Sequence, residues 1–377
     1  MLNLTDLGIR VILWIGKIVP LPAPAWFAQS LQRVEVTCNA EGTSGFQLTV
    51  ALSRDTVLDY TGLSDGTLDP YNRVIIGVVM GAVPEILFDG VILHHQFAPN
   101  DQPGKTTLTV SGKDVTAMMD LVELHVPYVQ LPDAAIAALV MAKYAPYGIV
   151  PTVIPTANIP LLVETTPWQA GETDLKFLNR IAKRNGYIFF VEPLTLGVNT
   201  GYLGPDVRLG LPQSALTANM GAATNVISIS FSHDPLEAVG VSGTLFLPLA
   251  GGIEVPLPPL SLPAIPPLAA EPSPAMRTLY LGDLATMNPA EALGTMLGAM
   301  MSGRDTVTCE GTLDAVRYGG VLRARRPVGV RGVGFSYDGF YWVKRVTHTI
   351  AVQEGKYTQA FSLGREGLGA ILPEVVP

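Results

Sequence analysis

Apolar and polar residues alternate strictly near both ends of the chain. Val34, Val36 and Cys38 alternate with Arg33, Glu35 and Thr37, the period of two that a half-buried β-strand requires. Residues 41–45 turn the chain, and Phe46, Leu48, Val50 and Leu52 alternate again, which predicts a hairpin. Further strands are predicted over 10–19, 73–80, 85–97 and 105–111, with 20–25 an extended connection. From Asp305 onward the pattern is β again.

Between these regions the period lengthens. Over 114–124, Val115, Met118, Met119 and Val122 stand at helical spacing. Pro132 suits the first position of a helix whose Ala-rich run, with Ile136, Leu139 and Val140, stops at Pro146 and Gly148. Thr173 can cap a helix over 174–185, with Asp174 at its start and Lys183 and Arg184 at its end to match the dipole. Gly186 closes it, and 187–191 (YIFFV) reads as a buried strand. The stretch 245–274 is apolar and proline-rich, so neither a helix nor a central strand is expected there. It reads as an extended surface loop, or as an arm whose Leu, Ile and Val side chains lie on a neighbouring subunit. A helix follows, with Asn288 as cap, Glu291 at capping-box spacing and an apolar face of Leu293, Met296, Leu297 and Met300.

Composition narrows the class. The 377 residues suffice for two or three compact units. Only 15% are charged and 48% are hydrophobic, against roughly 25% charged on average. Apolar surface must therefore be hidden in cores or against other subunits. A net charge of −8 with no basic–aromatic cluster argues against a nucleic-acid binder. Cys38 and Cys309 are the only cysteines, which points to synthesis in a reducing compartment rather than to a disulfide framework. The apolar stretch 11–27 carries Lys17 and three prolines and lacks a basic lead, so it is read as strand and connection, not as a signal or membrane segment.

The two β regions resemble each other. Phe88-Asp89-Gly90 opens a strand reaching His94 and His95, and Gly104-Lys105-Thr106-Thr107 starts its return to Ser111-Gly112. Tyr337-Asp338-Gly339 opens a strand reaching His348, and Gly355-Lys356-Tyr357-Thr358 starts its return to Ser362-Leu363-Gly364. A Val-Thr-Cys triplet precedes both, at 36–38 and 307–309. Aromatic-Asp-Gly is turn chemistry and each fragment is common alone, but the shared order indicates an internal duplication.

The search for chemistry assigns no catalytic, cofactor-binding or metal-binding residue. The histidines are His94, His95, His125, His233 and His348. His94 and His95 adjoin on a strand and so point to opposite faces, and no zinc spacing exists. Residues 329–334 are glycine-rich but do not open a helix, so they are not a phosphate loop. Glu164 and Glu172 are carboxylates that nothing brings together. The one basic cluster, Arg323, Arg325 and Arg326, is read as a solvated strand edge or an acid-binding contact between subunits.

Residues 111–120 (SGKDVTAMMD) look like the strand-to-helix junction of phage late control D proteins. Residues 172–187 (ETDLKFLNRIAKRNGY) resemble that family's "TDLxFLxRLAxRxGY" segment, and Tyr341-Trp342-Val343 to His348 with 357–361 resembles its closing hairpin. The resemblance runs from about Leu31 to Gly364 and is most specific in the helix-to-strand segment. The same family supplies the hub half of type VI secretion spike proteins and the hub of contractile injection systems.

The resemblance implies a mixed α+β, mainly β fold with two tube-like antiparallel β-barrel domains and an intervening α/β region, assembling as a pseudo-sixfold trimer. The expected divisions are 1–112 for the first tube-like domain and 113–222 for the middle region. The second tube-like domain takes 223–244 and 305–366, around an insertion at 245–304, and 367–377 is a tail. The implied function is a structural baseplate hub, not an enzyme, made in the bacterial cytoplasm and assembled into a virion or injection particle. Its implied partners are two further copies, the inner tube or its initiator, a spike expected as a separate polypeptide because the chain ends at Pro377, and baseplate wedge proteins. Neither specific nucleic-acid binding nor stable membrane insertion is expected, and the acidic balance suits a lumen that does not trap DNA or acidic cargo. The alternatives are a tail-associated cell-wall hydrolase, and a receptor- or glycan-binding tail protein with Trp26 and Trp168 as the aromatic candidates.

Overall fold

The computed structural model describes every residue except 1, 5–7, 54–59, 61, 62, 64, 82, 103, 104, 157–166, 248–252, 261–265, 288, 303 and 372–377. Gly104, Glu164 and Asn288, singled out above, lie outside the described residues.

The first third forms β1 (Ile9–Gly16), β2 (Leu31–Asn39), β3 (Gly45–Ala51), β4 (Arg73–Met80), β5 (Val83–Ala98) and β6 (Thr107–Asp114), antiparallel in the order β1-β4-β5-β6-β3-β2. The alternating positions do what their period requires. Val34, Val36, Leu48, Val50 and Val110 are completely buried in one core with Phe27 and Ile76, while Arg33, Glu35 and Gln47 face the other way.

The middle contains β7 (Glu123–Pro127), α1 (Asp133–Ala142), β8 (Ile149–Val153), β9 (Trp168–Thr173), α2 (Asp174–Arg184), β10 (Ile188–Thr195) and β11 (Val198–Gly204). Thr173 caps α2 as its sequence predicts, its hydroxyl accepting from the Lys176 amide at 3.4 Å. At the far end of α2, Arg184 and Asn185 both donate to the fully buried Asp133, which locks α2 onto the start of α1. Ile136, Val140, Phe177, Leu178 and Ile181 fill the core between the helices and the three-stranded sheet β8-β11-β10.

The last part holds β12 (Gln213–Thr217), β13 (Val226–His233), β14 (Val239–Leu247), β15 (Ile253–Leu260), β16 (Arg277–Leu281), α3 (Pro289–Ser302), β17 (Val307–Asp314), β18 (Pro327–Arg331), β19 (Gly339–Ala351) and β20 (Lys356–Arg365). The chain is thus mixed α+β and mainly β, and one 14-stranded sheet passes through both β regions because β2 pairs β19.

Three expectations need correction. The helix predicted over 114–124 is only a 3-10 turn, Val115–Asp120, capped by Asp114, and the chain then enters β7. Pairing of Glu123–Pro127 with β9 overrides the helical spacing, and Val122 is left 63% exposed. In the proline-rich stretch, Leu245–Leu247 complete β14, the central strand of a three-stranded sheet. Pro256, Pro258 and Pro259 are tolerated in β15 because it is that sheet's edge. The stretch's far end turns back onto its own chain. Glu366 accepts from the Leu268 and Ala269 amides at 2.5 and 3.1 Å, and Glu271–Pro272 pairs with Gly367–Leu368.

The insertion docks on the middle region through glycines. A Cβ on Gly294 of α3 would stand 2.7 Å from the Arg184 carbonyl oxygen, and one on Gly298 3.1 Å from the Gly186 Cα. The glycines let α3 approach the end of α2 at backbone distance, where Glu291 reaches Arg184 at 3.6 Å. Gly294→Val is expected to lever the insertion off this surface while both β regions stay folded. Hydrogen exchange then rises in residues 277–302 alone; unchanged protection there would show that the close approach is dispensable.

Candidate subunit interface

The two β regions repeat one topology. Strands β2, β3, β4, β5 and β6 are ordered β4-β5-β6-β3-β2, and strands β13, β17, β18, β19 and β20 are ordered β18-β19-β20-β17-β13. Even the irregularities recur. The register shift between Ile92 and His94 against β6 is matched by that between Val343 and Arg345 against β20. The shift between Leu31 and Arg33 against β3 is matched by that between Val226 and Ser228 against β17. Bulges are placed features of a strand pair rather than noise, so the equivalence is residue by residue: His94 with Arg345, Ser111 with Ser362, Glu35 with Ser230. The insertion occupies the link between β13 and β17, where the first repeat has only the tight turn after Asn39.

Two of the sequence anchors are placed differently. The return strands start at equivalent positions, with Thr107 matching Thr358. The Val-Thr-Cys triplets are not, since one lies on β2 and the other on β17, the counterpart of β3. Phe88-Asp89-Gly90 is not a turn but the middle of β5. Asp89 accepts both arms of Arg73 at 2.8 and 2.6 Å, and Arg73 also donates to the Tyr147 and Gly197 carbonyls at 2.8 and 3.1 Å.

The repeats meet inside the chain at a seam between β2 and β19. Thr37 lies opposite Thr347, Val36 opposite His348 and Cys38 opposite Val346. The Ala40 amide donates to the Lys344 carbonyl at 2.7 Å and the Val352 amide to the Gln32 carbonyl at 2.9 Å. On the strand's period of two, the amides of Val34, Val36 and Cys38 also point across the seam. Val34, Val36, Val346, His348 and Ile350 are buried on its core side, and the Thr37 and Thr347 hydroxyls meet at 3.1 Å on the other. His348 is buried beside the Tyr357 hydroxyl at 2.9 Å, and burial, with some help from Arg323, holds its imidazole down at about 3. Burial likewise pushes the Cys38 thiol up to about 11.

The basic cluster belongs to this seam. Arg325 donates to Glu192 at 2.9 Å and to the carbonyls of Asn39 and Ala40, with its guanidinium 4.1 Å from the Phe190 ring centre. Arg323 donates to Glu85 at 2.9 Å and to the Ile86 carbonyl at 2.5 Å. Arg323 and Arg325 therefore bind acids and carbonyls of their own chain and clamp the two repeats and the middle region together, while Arg326 is exposed.

Among the described residues, one edge of each repeat is left without a partner strand. Among the described residues, β13 pairs only with β17, so its outer edge carries no strand. Among the described residues, β5 runs past the end of β4, which reaches only Val91, and no strand pairs the outer side of Leu93–Ala98; there the Tyr60 ring packs on Phe97 with centroids 5.2 Å apart. These are the counterparts of the two edges that meet in the internal seam. Each exposes apolar side chains: Phe97 at 40% and Ile227 at 59%. Unpaired edges of this kind template association with another chain. Sequence reading placed 223–244 in a β domain but missed the edge, although the alternation of Ile227, Ile229 and Phe231 with Ser228, Ser230 and Ser232 was there to find it.

The face opposite the cores is rich in hydroxyls. Thr37, Thr347, Ser228, Ser230 and Thr312 surround Glu310 and Arg345, which stand 4.0 Å apart. Glu172, the described member of the carboxylate pair, is engaged by Arg180 at 2.5 Å. Among the described residues no group of three His, Cys, Asp or Glu side chains is placed to hold a metal, and no helix is long and apolar enough to cross a membrane.

A buried ionic cluster anchors the insertion's return to β17. Arg208 donates to Asp305 at 2.5 and 3.0 Å, Lys344 stands 3.0 Å from the same carboxylate, and Arg304 pairs with Asp206. Burial alone would raise the Asp305 carboxyl, but Arg208 and Lys344 outweigh it and hold it at about 2. A carboxyl depressed on folding stabilises the fold above its ordinary value of 3.8, and that contribution disappears as pH falls toward 2. The loss is expected to be about 2 kcal/mol. Urea unfolding of the wild type and of Asp305→Asn should therefore differ most at pH 6 and converge near pH 2; a gap independent of pH would remove Asp305 as the titrating group.

No protein-family model and no curated protein sequence matches this chain. Solved structures do. A tail protein from Neisseria meningitidis MC58 is 15% identical, with a TM-score of 0.64 over 96% of this chain and 98% of that one. The 43 kDa tail protein of prophage MuSo2 from Shewanella oneidensis is 16% identical, with a TM-score of 0.63 over 95% and 98%. The E. coli c3393 protein, described as a type VI secretion component with structural similarity to the T4 tail proteins gp27 and gp5, is 11% identical, with a TM-score of 0.56 over 92% and 77%.

Proposed function

We propose that this chain, which has the fold of phage tail proteins, is a non-enzymatic baseplate hub of a contractile tail or injection particle. Three copies close a pseudo-sixfold ring that adapts a hexameric inner tube to a trimeric spike. The observation that carries the reading is the pair of free edges. The internal seam joins one copy of the repeated topology to the other, and the two leftover edges are the same two surfaces again. Joining β13 of one chain to the end of β5 in the next repeats that seam and leaves neither of these two edges open once three chains have closed. Six repeats then stand around one axis, which is what a sixfold tube needs from a threefold object.

The domain division that serves this ring is 1–112, 113–222, and 223–244 with 305–366, with 245–304 as the insertion and 367–377 as the tail. The hydroxyl-rich face would line the lumen. It is nearly charge-balanced, so it offers passing cargo little to bind. Tube protein or its initiator docks on one end of the ring, the spike on the other, and wedge proteins outside. Synthesis in the cytoplasm precedes assembly into the particle.

The test is the mass of the purified chain by light scattering, with and without a spike protein. Three chains support the ring; a single chain under both conditions removes it and returns the hydrolase and receptor-binding alternatives.

A further inference from the structure

The repeat fixes the register of the seam between subunits, residue by residue. Where Cys38 faces Val346 inside the chain, the bulge-anchored equivalence puts His233 opposite His95 of the next copy. It also puts Phe231 opposite Phe97, Ser232 opposite Gln96, and Asp234 opposite His94. We infer that the ring has two alternating kinds of seam, and that the seams between subunits, unlike those within them, come apart when histidine gains a proton. This rests on the ring proposed above.

Burial is already in place on the β5 side, while His233 is exposed in the single chain. His95 points toward the core side of β5, and its Nε2 is buried without a hydrogen-bond partner. His233 touches only the Ser273 hydroxyl, at 3.2 Å. The matching position inside the chain is a wholly buried valine beside a thiol. Two imidazoles side by side there are compatible with a closed seam while at least one is neutral. Two imidazolium ions are not, because like charges in a water-poor site repel and each loses hydration.

On β6 the facing residues are Thr109, Val110 and Ser111, and next to His233 they are Thr306, Val307 and Thr308; none is ionisable. The charges beyond them are Arg365, opposite Val307 on β20 and on the same face as His233, and the paired Arg304 and Asp305 just before Thr306. His94 and Asp234 meet on the opposite face of the sheet. Glu310 lies across from Ser230, on that same face. The internal seam has no such sensitivity, since its one histidine, His348, is kept neutral by its burial.

Histidine changes charge between pH 5 and 8, so the readout is the trimer dissociation constant by light scattering at pH 8 and pH 5.5. The wild type is expected to dissociate at least tenfold more readily at pH 5.5. The double change His95→Val with His233→Cys, which copies the internal seam, is expected to hold equally at both. If that pair perturbs folding, His95→Gln keeps a neutral polar side chain and gives the same reading. A wild-type trimer indifferent to pH overturns the histidine seam and leaves the ring standing. A variant that still dissociates at pH 5.5 places the sensitivity elsewhere and also overturns it. A monomer at both pH values removes the ring, and this inference with it.

Discussion

Phe97→Pro is expected to convert the proposed trimer to a folded monomer. By the repeat, the Phe97 amide corresponds to that of His348, which lies across the seam from Val36, so it points to the free edge and not to β6. Proline at this position removes one hydrogen bond across the proposed seam and none to β6. It also removes an aromatic side chain that is 40% exposed, packs on Tyr60 of its own chain and, in the proposed seam, meets Phe231 of the next copy. Together these amount to about 2 kcal/mol at each seam. Three seams raise the loss to about 6 kcal/mol, on the order of ten-thousand-fold in the dissociation constant. Light scattering at micromolar protein should report one chain, with circular dichroism unchanged. Phe97→Leu, which keeps the amide, should weaken the ring far less. A Phe97→Pro protein that still runs as three chains would mean that β5 does not provide the contact.

Asp89→Ala should have the largest effect on the single chain. The Arg73–Asp89 pair is sealed, with side chains 4% and 0% exposed. It also gathers the Tyr147 and Gly197 carbonyls and the Asn199 amide, and so ties the first β region to the middle one. Removing the carboxylate leaves a guanidinium buried against carbonyls alone, and breaking such a pair costs about 3–5 kcal/mol. Urea unfolding at pH 7 in the Phe97→Pro background, free of dissociation, measures it. Replacing both partners with apolar residues, Arg73→Met with Asp89→Leu, should recover much of the loss. A single Asp89→Ala change that shifts stability by less than about 1 kcal/mol would show that water reaches Arg73 after all.

The same pair shows where local sequence stops being informative. Phe88-Asp89-Gly90 and Tyr337-Asp338-Gly339 are alike in composition, yet Asp338 makes a turn by accepting from the Val333 amide at 2.9 Å, while Asp89 is mid-strand and holds Arg73. What separates them is a partner 16 residues away, not anything within the tripeptide. The 114–124 segment fails for a related reason. Val115, Met118 and Met119 fit a 3-10 turn as well as an α-helix, and the choice falls to β9, whose partner residues begin at Trp168.

By itself the sequence determined the features whose causes are local. These are the alternation that builds β2 and β3, the Thr173 cap and basic end of α2, the hairpin starts at Lys105 and Lys356, and through them the duplication. Tertiary structure decided which edges are satisfied and which are not. Backbone amides are the same in every residue, so sequence does not mark the strand they will meet. Only the assembled sheet shows β2 closed by β19 while, among the described residues, no strand pairs the outer edges of β13 and of the end of β5.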